Sequence, residues 1–310
     1  MSSRPRRQGE FWPTLALAIA AAAAGFNWIV LRFLEARGLQ SAWAGLALSL
    51  LGMLALLPLV LRRPRRVHAA AFAVFLTGLA NGGALALYTA SMLLTEVVRT
   101  LVLFYLAPMW AAALGLVLLG ERLTLARVLA MSLCFAGMVT ILGLGHGWPW
   151  PRNTGDWLAI FSGLVYAYGS VRVYSAPEVG VGAQTFSTML GSAVVSAVVL
   201  LLLPAAARGA PPPASPLLWL ATAAYVAAMI IPINWVAMWS AKHLPPARVG
   251  LIFALEAVTG IVSAALLLDE PFGWREAVGS ALVIASTVVD VIGHRPVPAA
   301  GIIPVNPGEG

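Results

Sequence analysis

The chain has 310 residues, 60% hydrophobic and only 10% charged, with a mean hydropathy of +0.89 and a formal net charge of +7. A soluble domain carries about 25% charged residues, so the solvent for most of this chain is lipid. The few charges cluster between apolar runs, which sets aside a nucleic-acid partner despite a pI near 10.3.

The lone cysteine, Cys134, lies inside an apolar run, so no internal disulfide forms and the residue reads as a small core side chain. No Cys/His cluster has metal-ligand spacing, so neither a metal nor a cofactor is expected. At the N-terminus, Arg4, Arg6 and Arg7 precede an apolar run that resembles a signal peptide. The run continues through Val30 without a polar break, so it reads as a retained first helix.

A bilayer-spanning helix needs about 20 mostly apolar residues, and lipid admits only helices or closed barrels. The runs here are continuous rather than alternating, which selects helices. Ten spans are predicted: 11–31, 42–61, 68–92, 96–119, 123–144, 156–175, 182–203, 216–241, 247–268 and 273–292. The basic turn Arg62-Arg63-Pro64-Arg65-Arg66, the breaker-rich Gly145–Pro151, Pro211-Pro212-Pro213 and Lys242-His243-Leu244-Pro245-Pro246 separate them. Residues 293–310 lack an apolar period and read as a disordered tail.

Orientation follows from Arg and Lys. With the N-terminus inside, the inside set is Arg4, Arg6, Arg7, Arg62, Arg63, Arg65, Arg66, Arg122, Arg127, Arg172, Lys242, Arg248 and Arg295. The outside set is Arg32, Arg37, Arg99, Arg152, Arg208 and Arg275. Thirteen against six favours both termini in the cytoplasm of a multi-pass inner-membrane protein.

The stretch Arg99–Ile141 recurs 149 residues later at Arg248–Asp290. Under that shift Arg99 falls on Arg248, Phe104 on Phe253, Leu106 on Leu255, Glu121 on Glu270 and Leu133 on Leu282. Leucine matches between apolar spans are cheap; an Arg before the span and a Glu after it are not. The repeat divides the chain into a segment 1–10, a first five-helix half 11–144, a linker 145–155, a second half 156–292 and the tail. Five is odd, so the halves enter the membrane in opposite senses. The expected fold is therefore an all-α integral membrane protein with ten transmembrane helices in two inverted five-helix repeats. That is a common transporter plan, with the substrate site near midplane.

Residues 11–292 resemble the ten-helix EamA branch of the drug/metabolite transporter superfamily. The resemblance rests on Leu106-Ala107-Pro108 with Gly120-Glu121-Arg122-Leu123-Thr124, and on Leu255-Glu256-Ala257 with Asp269-Glu270-Pro271 in the second copy. Ala24-Gly25-Phe26-Asn27-Trp28, Ala86-Leu87-Tyr88-Thr89-Ala90 and Gly155-Asp156 add to it. Ala257 stands where the family pattern often has Pro, and span 42–61 lacks an Arg many members carry. The resemblance implies a non-enzymatic carrier exporting small metabolites, with aromatic amino-acid exporters as the leading sub-type.

Polar side chains in hydrocarbon must face a partner helix or a cavity. Asn27, Asn81 and Asn234 lie well inside spans, and an amide offers both donors and an acceptor for a zwitterion. Glu256 is the one acid clearly inside a span; it is a candidate proton or ammonium contact and stands near a possible half-helix end. Trp28, Tyr88, Tyr105, Tyr166, Trp235 and Trp239 lie deep enough to wall a cavity, as do Trp110 and Tyr168. Trp12, Trp43, Trp148, Trp150, Trp157, Trp219 and Trp274 fall at span ends and read as belt residues. Arg99 and Arg248 are candidates for gating or substrate access; the plainer alternative is local pairing, with Glu96 for Arg99. Glu121 and Glu270 suit the dipoles of the helices that follow them. Pro232 should kink the eighth span, and Gly82-Gly83 permit close packing or bending in the third.

The expected partners are a small-molecule substrate (an amino acid or related metabolite), the bilayer and protons, for a monomer. Two other classes fit less well. A membrane enzyme acting on lipid-linked substrates needs paired acids or a His or Ser constellation, whereas His68, His146, His243 and His294 are scattered. A channel needs a charged ring or filter. Export of drugs or cationic metabolites, using Glu256 and the aromatics, stays within the transporter class.

Overall fold

With no water in the bilayer core, each span must satisfy its own backbone, and apolar stretches of this length do so as helices. A computed structural model describes residues 5–39, 41–62, 71–95, 97–121, 123–142, 150–176, 179–203, 208–268 and 273–293. The helices are α1 (Pro5–Ala24), α2 (Asn27–Glu35), α3 (Ser41–Leu61), α4 (Ala71–Leu94), α5 (Val97–Phe104), α6 (Ala107–Leu118) and α7 (Leu125–Leu142) in the first half. The second half holds α8 (Thr154–Ser175), α9 (Val181–Leu202), α10 (Pro216–Tyr225), α11 (Ile231–Ala241), α12 (Pro246–Phe253), α13 (Leu255–Leu268) and α14 (Trp274–Gly293). A π-helical turn, Val226–Ile230, joins α10 to α11.

These helices form ten spans, because α1–α2, α5–α6, α10–α11 and α12–α13 are each one span interrupted at mid-depth. By length and composition spans one, two, three, seven, eight, nine and ten are each able to cross a membrane, and spans four and five contain the shorter apolar helices Ala107–Leu118 and Leu125–Ile141. Span six carries Asp156 and Arg172 and is less apolar. The fold is an all-α membrane bundle of two inverted five-helix repeats. The end of the bundle at which span one begins is termed the near face, and the opposite end the far face.

Each break has a local cause. In span four, Pro108 at the start of α6 cannot continue the ladder of α5, and Leu106 closes the turn back onto Leu103. In span eight, Pro232 removes a backbone donor, and the wider π turn just before it absorbs the mismatch. Span nine breaks at Ala254 without a proline nearby: its N–H returns to Gly250, and a new turn starts with Ala257 bonding Ala254. Span one breaks at Gly25-Phe26, where Gly25 lies directly on α13. A Cβ there would stand 1.9 Å from Thr259 Oγ1 and 2.7 Å from the Glu256 carbonyl oxygen.

Three pairs of equivalent spans, two with seven, four with nine and five with ten, pack on each other. Spans five and ten cross at Gly137 and Gly279, where an added Cβ on either would come within 2.7 Å of the other's carbonyl oxygen. Spans four and nine meet at Pro108 and Gly250. Gly78 and Gly82 of α4 sit on the backbone of α9 at Ser187, Thr188 and Ser192, so the glycines of span three serve close packing. One core cluster, Tyr105, Ala130, Cys134, Met138, Leu251, Ala254 and Val283, fills the space between spans four, five, nine and ten.

Candidate functional site

The four breaks converge around Glu256: Gly25 lies on its carbonyl, and Tyr105 and Tyr225, at two of the others, lie within electrostatic range of its carboxylate. The break at Ala254 places Glu256 in the first turn of α13, near the middle of span nine. A carboxylate there complements the positive end of the half-helix. Glu256 is only half-buried, and its carboxylate has no hydrogen-bond partner among the described residues. It lies within electrostatic range of the hydroxyls of Tyr88, Tyr105, Tyr166 and Tyr225.

An aromatic wall surrounds this position. Phe104 packs on Tyr88 at 4.6 Å between ring centroids, on Tyr105 at 5.6 Å and on Tyr166 at 5.9 Å. Phe253 meets Tyr166 edge-on at 6.3 Å. These are offset and edge-to-face spacings. The hydroxyl of Tyr225 is buried and finds no partner among the described residues, and neither does the side-chain oxygen of Asn27. Asn27 opens α2, so a further helix N-terminus lies beside that of α13; at the start of α6, Pro108 has no N–H and the Met109 and Trp110 N–H groups return to the Leu106 carbonyl.

The other sequence-predicted residues are placed elsewhere. Asn81 lies flat on Gly169 of α8, and its amide donates to the Thr77 carbonyl at 3.1 Å. Asn234 donates to the Ile230 carbonyl at 2.9 Å, closing the π turn ahead of Pro232. Trp235 is 37% exposed and packs on Gly182 of α9, on the outer side of span eight. Trp239 stacks with His243 at 5.3 Å, near the near face. Trp28 donates to Ser263 at 2.9 Å, tying α2 to α13. Of the nominated residues, Tyr88, Tyr105 and Tyr166 gather around Glu256, with Asn27 at the adjoining break; Asn81, Asn234, Trp235 and Trp239 are not brought to that group.

Arg99 and Arg248 are both buried and both bound by carboxylates. Arg99 Nε donates to the two oxygens of Asp156 at 3.2 and 3.1 Å, and Nη2 donates to the Trp150 carbonyl at 2.7 Å. Asp156 also accepts from Thr95 and from the Arg152 backbone. Arg248 donates to Asp290 and to Glu10, each at 2.8 Å. Arg127 extends this second group, 2.6 Å from Glu121 and 3.8 Å from Asp290. The expected partner Glu96 lies outside the described residues, as do Glu270, Asp269 and the tail. Glu121 meets an arginine as well as preceding a helix. Gly120, at φ 64°, makes the left-handed turn that brings it there.

The pairing is exchanged between halves. Arg99 of span four holds the acid that opens span six, at the far face. Arg248, its repeat counterpart in span nine, holds an acid at the start of span one, at the near face. Sequence reasoning missed Glu10, Arg127, Asp156 and Asp290 as partners, and it missed Phe104, Phe253 and Tyr225 as wall residues. The Phe104–Phe253 repeat match was the signal available for the last group. Glu256 is also not the one acid inside a span: Asp290, three residues from the end of α14, is 2% exposed.

Inverted repeats with discontinuous spans meeting at a mid-membrane polar site are the plan of secondary transporters. The model of the EamA-like transporter family matches residues 11–143 and again 153–291. The chain belongs to that family and is a polytopic membrane protein of a transporter class. Among solved structures, one described as the crystal structure of a protein aligns over 90% of this chain and 96% of its own, with a TM-score of 0.70 at 19% identity, a likeness of fold. No curated protein matches the sequence.

Proposed function

We propose that the protein exports small metabolites from the cytoplasm by alternating access, with aromatic amino acids as its leading substrates. The observation that carries this reading is the unpartnered Glu256 carboxylate, half-exposed in an aromatic-walled break at mid-membrane depth. In this reading the substrate ammonium sits on Glu256 and the tyrosine faces, and its ring stacks on Phe104, Tyr166 or Phe253. Its carboxylate meets the backbone donors that open α2. Asn27 supplies the amide contact. The exchanged ion pairs at the two faces open in turn, which gives Arg99 and Arg248 their gating role. Glu256 is the residue through which protons would couple. The thirteen-to-six charge asymmetry supports cytoplasmic termini in the inner membrane.

A second reading, export of lipophilic cations, is favoured by one feature: a carboxylate inside a ring cage is also the arrangement that holds a quaternary ammonium. Uptake of labelled tryptophan into proteoliposomes, with and without a pH gradient, separates the two. Threonine and a quaternary-ammonium compound serve as competitors. Saturable uptake competed by phenylalanine supports the amino-acid reading, and its response to the gradient reads the coupling. Uptake of the cation alone supports the second reading, and uptake of neither would overturn both.

A further inference from the structure

A groove of about 250 Å³ opens sideways between spans one and nine, on the far-face side of the break at Gly25. Its walls include Phe26, Val258, Val262, Ser263, Leu266 and Leu267. Phe26, Leu266 and Leu267 are exposed, so the groove faces the bilayer rather than the central site. Gly25, pressed on the Glu256 carbonyl and Thr259, separates the two.

The groove offers a guest no polar group. The Thr259 hydroxyl is used on the Leu255 and Glu256 carbonyls, both at 3.1 Å. Ser263 donates to the Gly260 carbonyl at 2.9 Å and accepts from Trp28 at 2.9 Å. An amino acid or a hydrated ion would gain nothing there. From Val258 to Leu267 the groove follows α13 for roughly 14 Å at ~1.5 Å per residue. That is about half of a hydrocarbon core ~30 Å thick, the depth of one leaflet. The volume lies below the roughly 300–1,000 Å³ of a drug-sized pocket, and its narrow slot is far short of the ~1,000 Å² that a second copy of the chain would need to bury.

A cation is joined to the groove wall through Trp28. Arg32, in the last turn of α2, is exposed and lies 5.6 Å over the ring of Trp28, the residue that ties α2 to Ser263. It makes no ion pair among the described residues; Glu35 is exposed one turn further on. An arginine at the membrane interface suits a phosphate diester.

We propose that this groove is a lipid site, taking one acyl chain of an anionic phospholipid of the far leaflet with its phosphate on Arg32. The proposal is independent of the transported substrate. Native mass spectrometry of the full chain, extracted from vesicles of equimolar phosphatidylglycerol and phosphatidylcholine, tests it. The wild type should retain one phospholipid, with phosphatidylglycerol favoured at least fivefold. Arg32→Gln should remove that preference while a lipid is still retained. Val262→Trp, which fills the slot, should remove the retained lipid. Leu266→Trp, at a 77% exposed position, fills it from the rim if the Val262 variant does not fold. Excess glycerol phosphate, a headgroup without a tail, should displace nothing. No retained lipid on the wild type, an unchanged preference in Arg32→Gln, full retention in the folded groove-filled variant or displacement by glycerol phosphate would each overturn it.

Discussion

Phe104 and Phe253 hold the same place in the two halves, and both rings pack on the single ring of Tyr166, at 5.9 and 6.3 Å. Each phenylalanine is the last helical residue before its span breaks. Tyr166 therefore sits where the two breaks converge. Aromatic pairs are worth about 0.5–1.5 kcal/mol beyond their buried area. Phe104→Leu and Phe253→Leu should weaken substrate affinity by similar factors, about two- to tenfold each. Calorimetric titration of both variants checks this; an effect from one alone would show that Tyr166 is not a shared wall.

The Glu256 carboxylate carries no hydrogen bond among the described residues, so neutralising it breaks none within the fold. Glu256→Gln keeps the shape and discards the charge. Transport should fall more than tenfold, while the thermal unfolding midpoint moves by only a few degrees. Normal transport at every pH tested would remove Glu256 from the mechanism.

The spans were legible because length and apolarity are written in composition, and the inverted plan because two polar residues repeat at equal spacing. The break in span four was legible too, in Pro108. The break at Ala254 was legible only as a half-helix end near Glu256, since Ala257 stands where the family pattern often has proline; Gly25 of span one packs just beyond it. The ion pairs were illegible for a related reason. Asp156, Asp290 and Glu10 stand 57, 42 and 238 positions from their arginines, and only the fold brings them in. Trp235 shows the limit of adjacency: it follows Asn234 in sequence, but successive helical residues point ~100° apart, and its ring lies on the outer side.

At the near face Arg248 holds two carboxylates, Asp290 and Glu10. The repeat counterpart of Asp290 is Ile141, a buried apolar residue. Asp290→Asn should therefore loosen the near face selectively. In a Cys134→Ala background, a cysteine at Ala247, now 1% exposed, should react several-fold faster with a membrane-impermeant maleimide once Asp290 is neutralised. An unchanged rate would show that Asp290 does not help hold the near face shut.

The Arg99–Asp156 pair is enclosed, with side chains 9% and 0% exposed. Removing one partner takes the opposite charge away from a buried ion, at a cost of about 3–5 kcal/mol. Asp156→Asn and Arg99→Gln should each destabilise by that order, and the double variant by clearly less than their sum. Steric-trap unfolding of the four proteins measures the cycle. Additive effects would mean that the two side chains do not stabilise the fold through each other.

Gly25 is the point at which spans one and nine touch backbone to backbone. A methyl group there meets the movable Thr259 hydroxyl at 1.9 Å, but also the Glu256 carbonyl and the Gly260 nitrogen at 2.7 Å. Overpacking of this kind costs about 1–3 kcal/mol or more. Gly25→Ala should lower the unfolding midpoint and push α13 away, which moves Glu256 and reduces substrate affinity. Adding Thr259→Ala removes the side-chain clash alone, so it should restore stability only in part. Full rescue by that second change, seen in the melting curve and in the binding isotherm together, would mean that the backbone contact is slack and that Gly25 does not fix the position of Glu256.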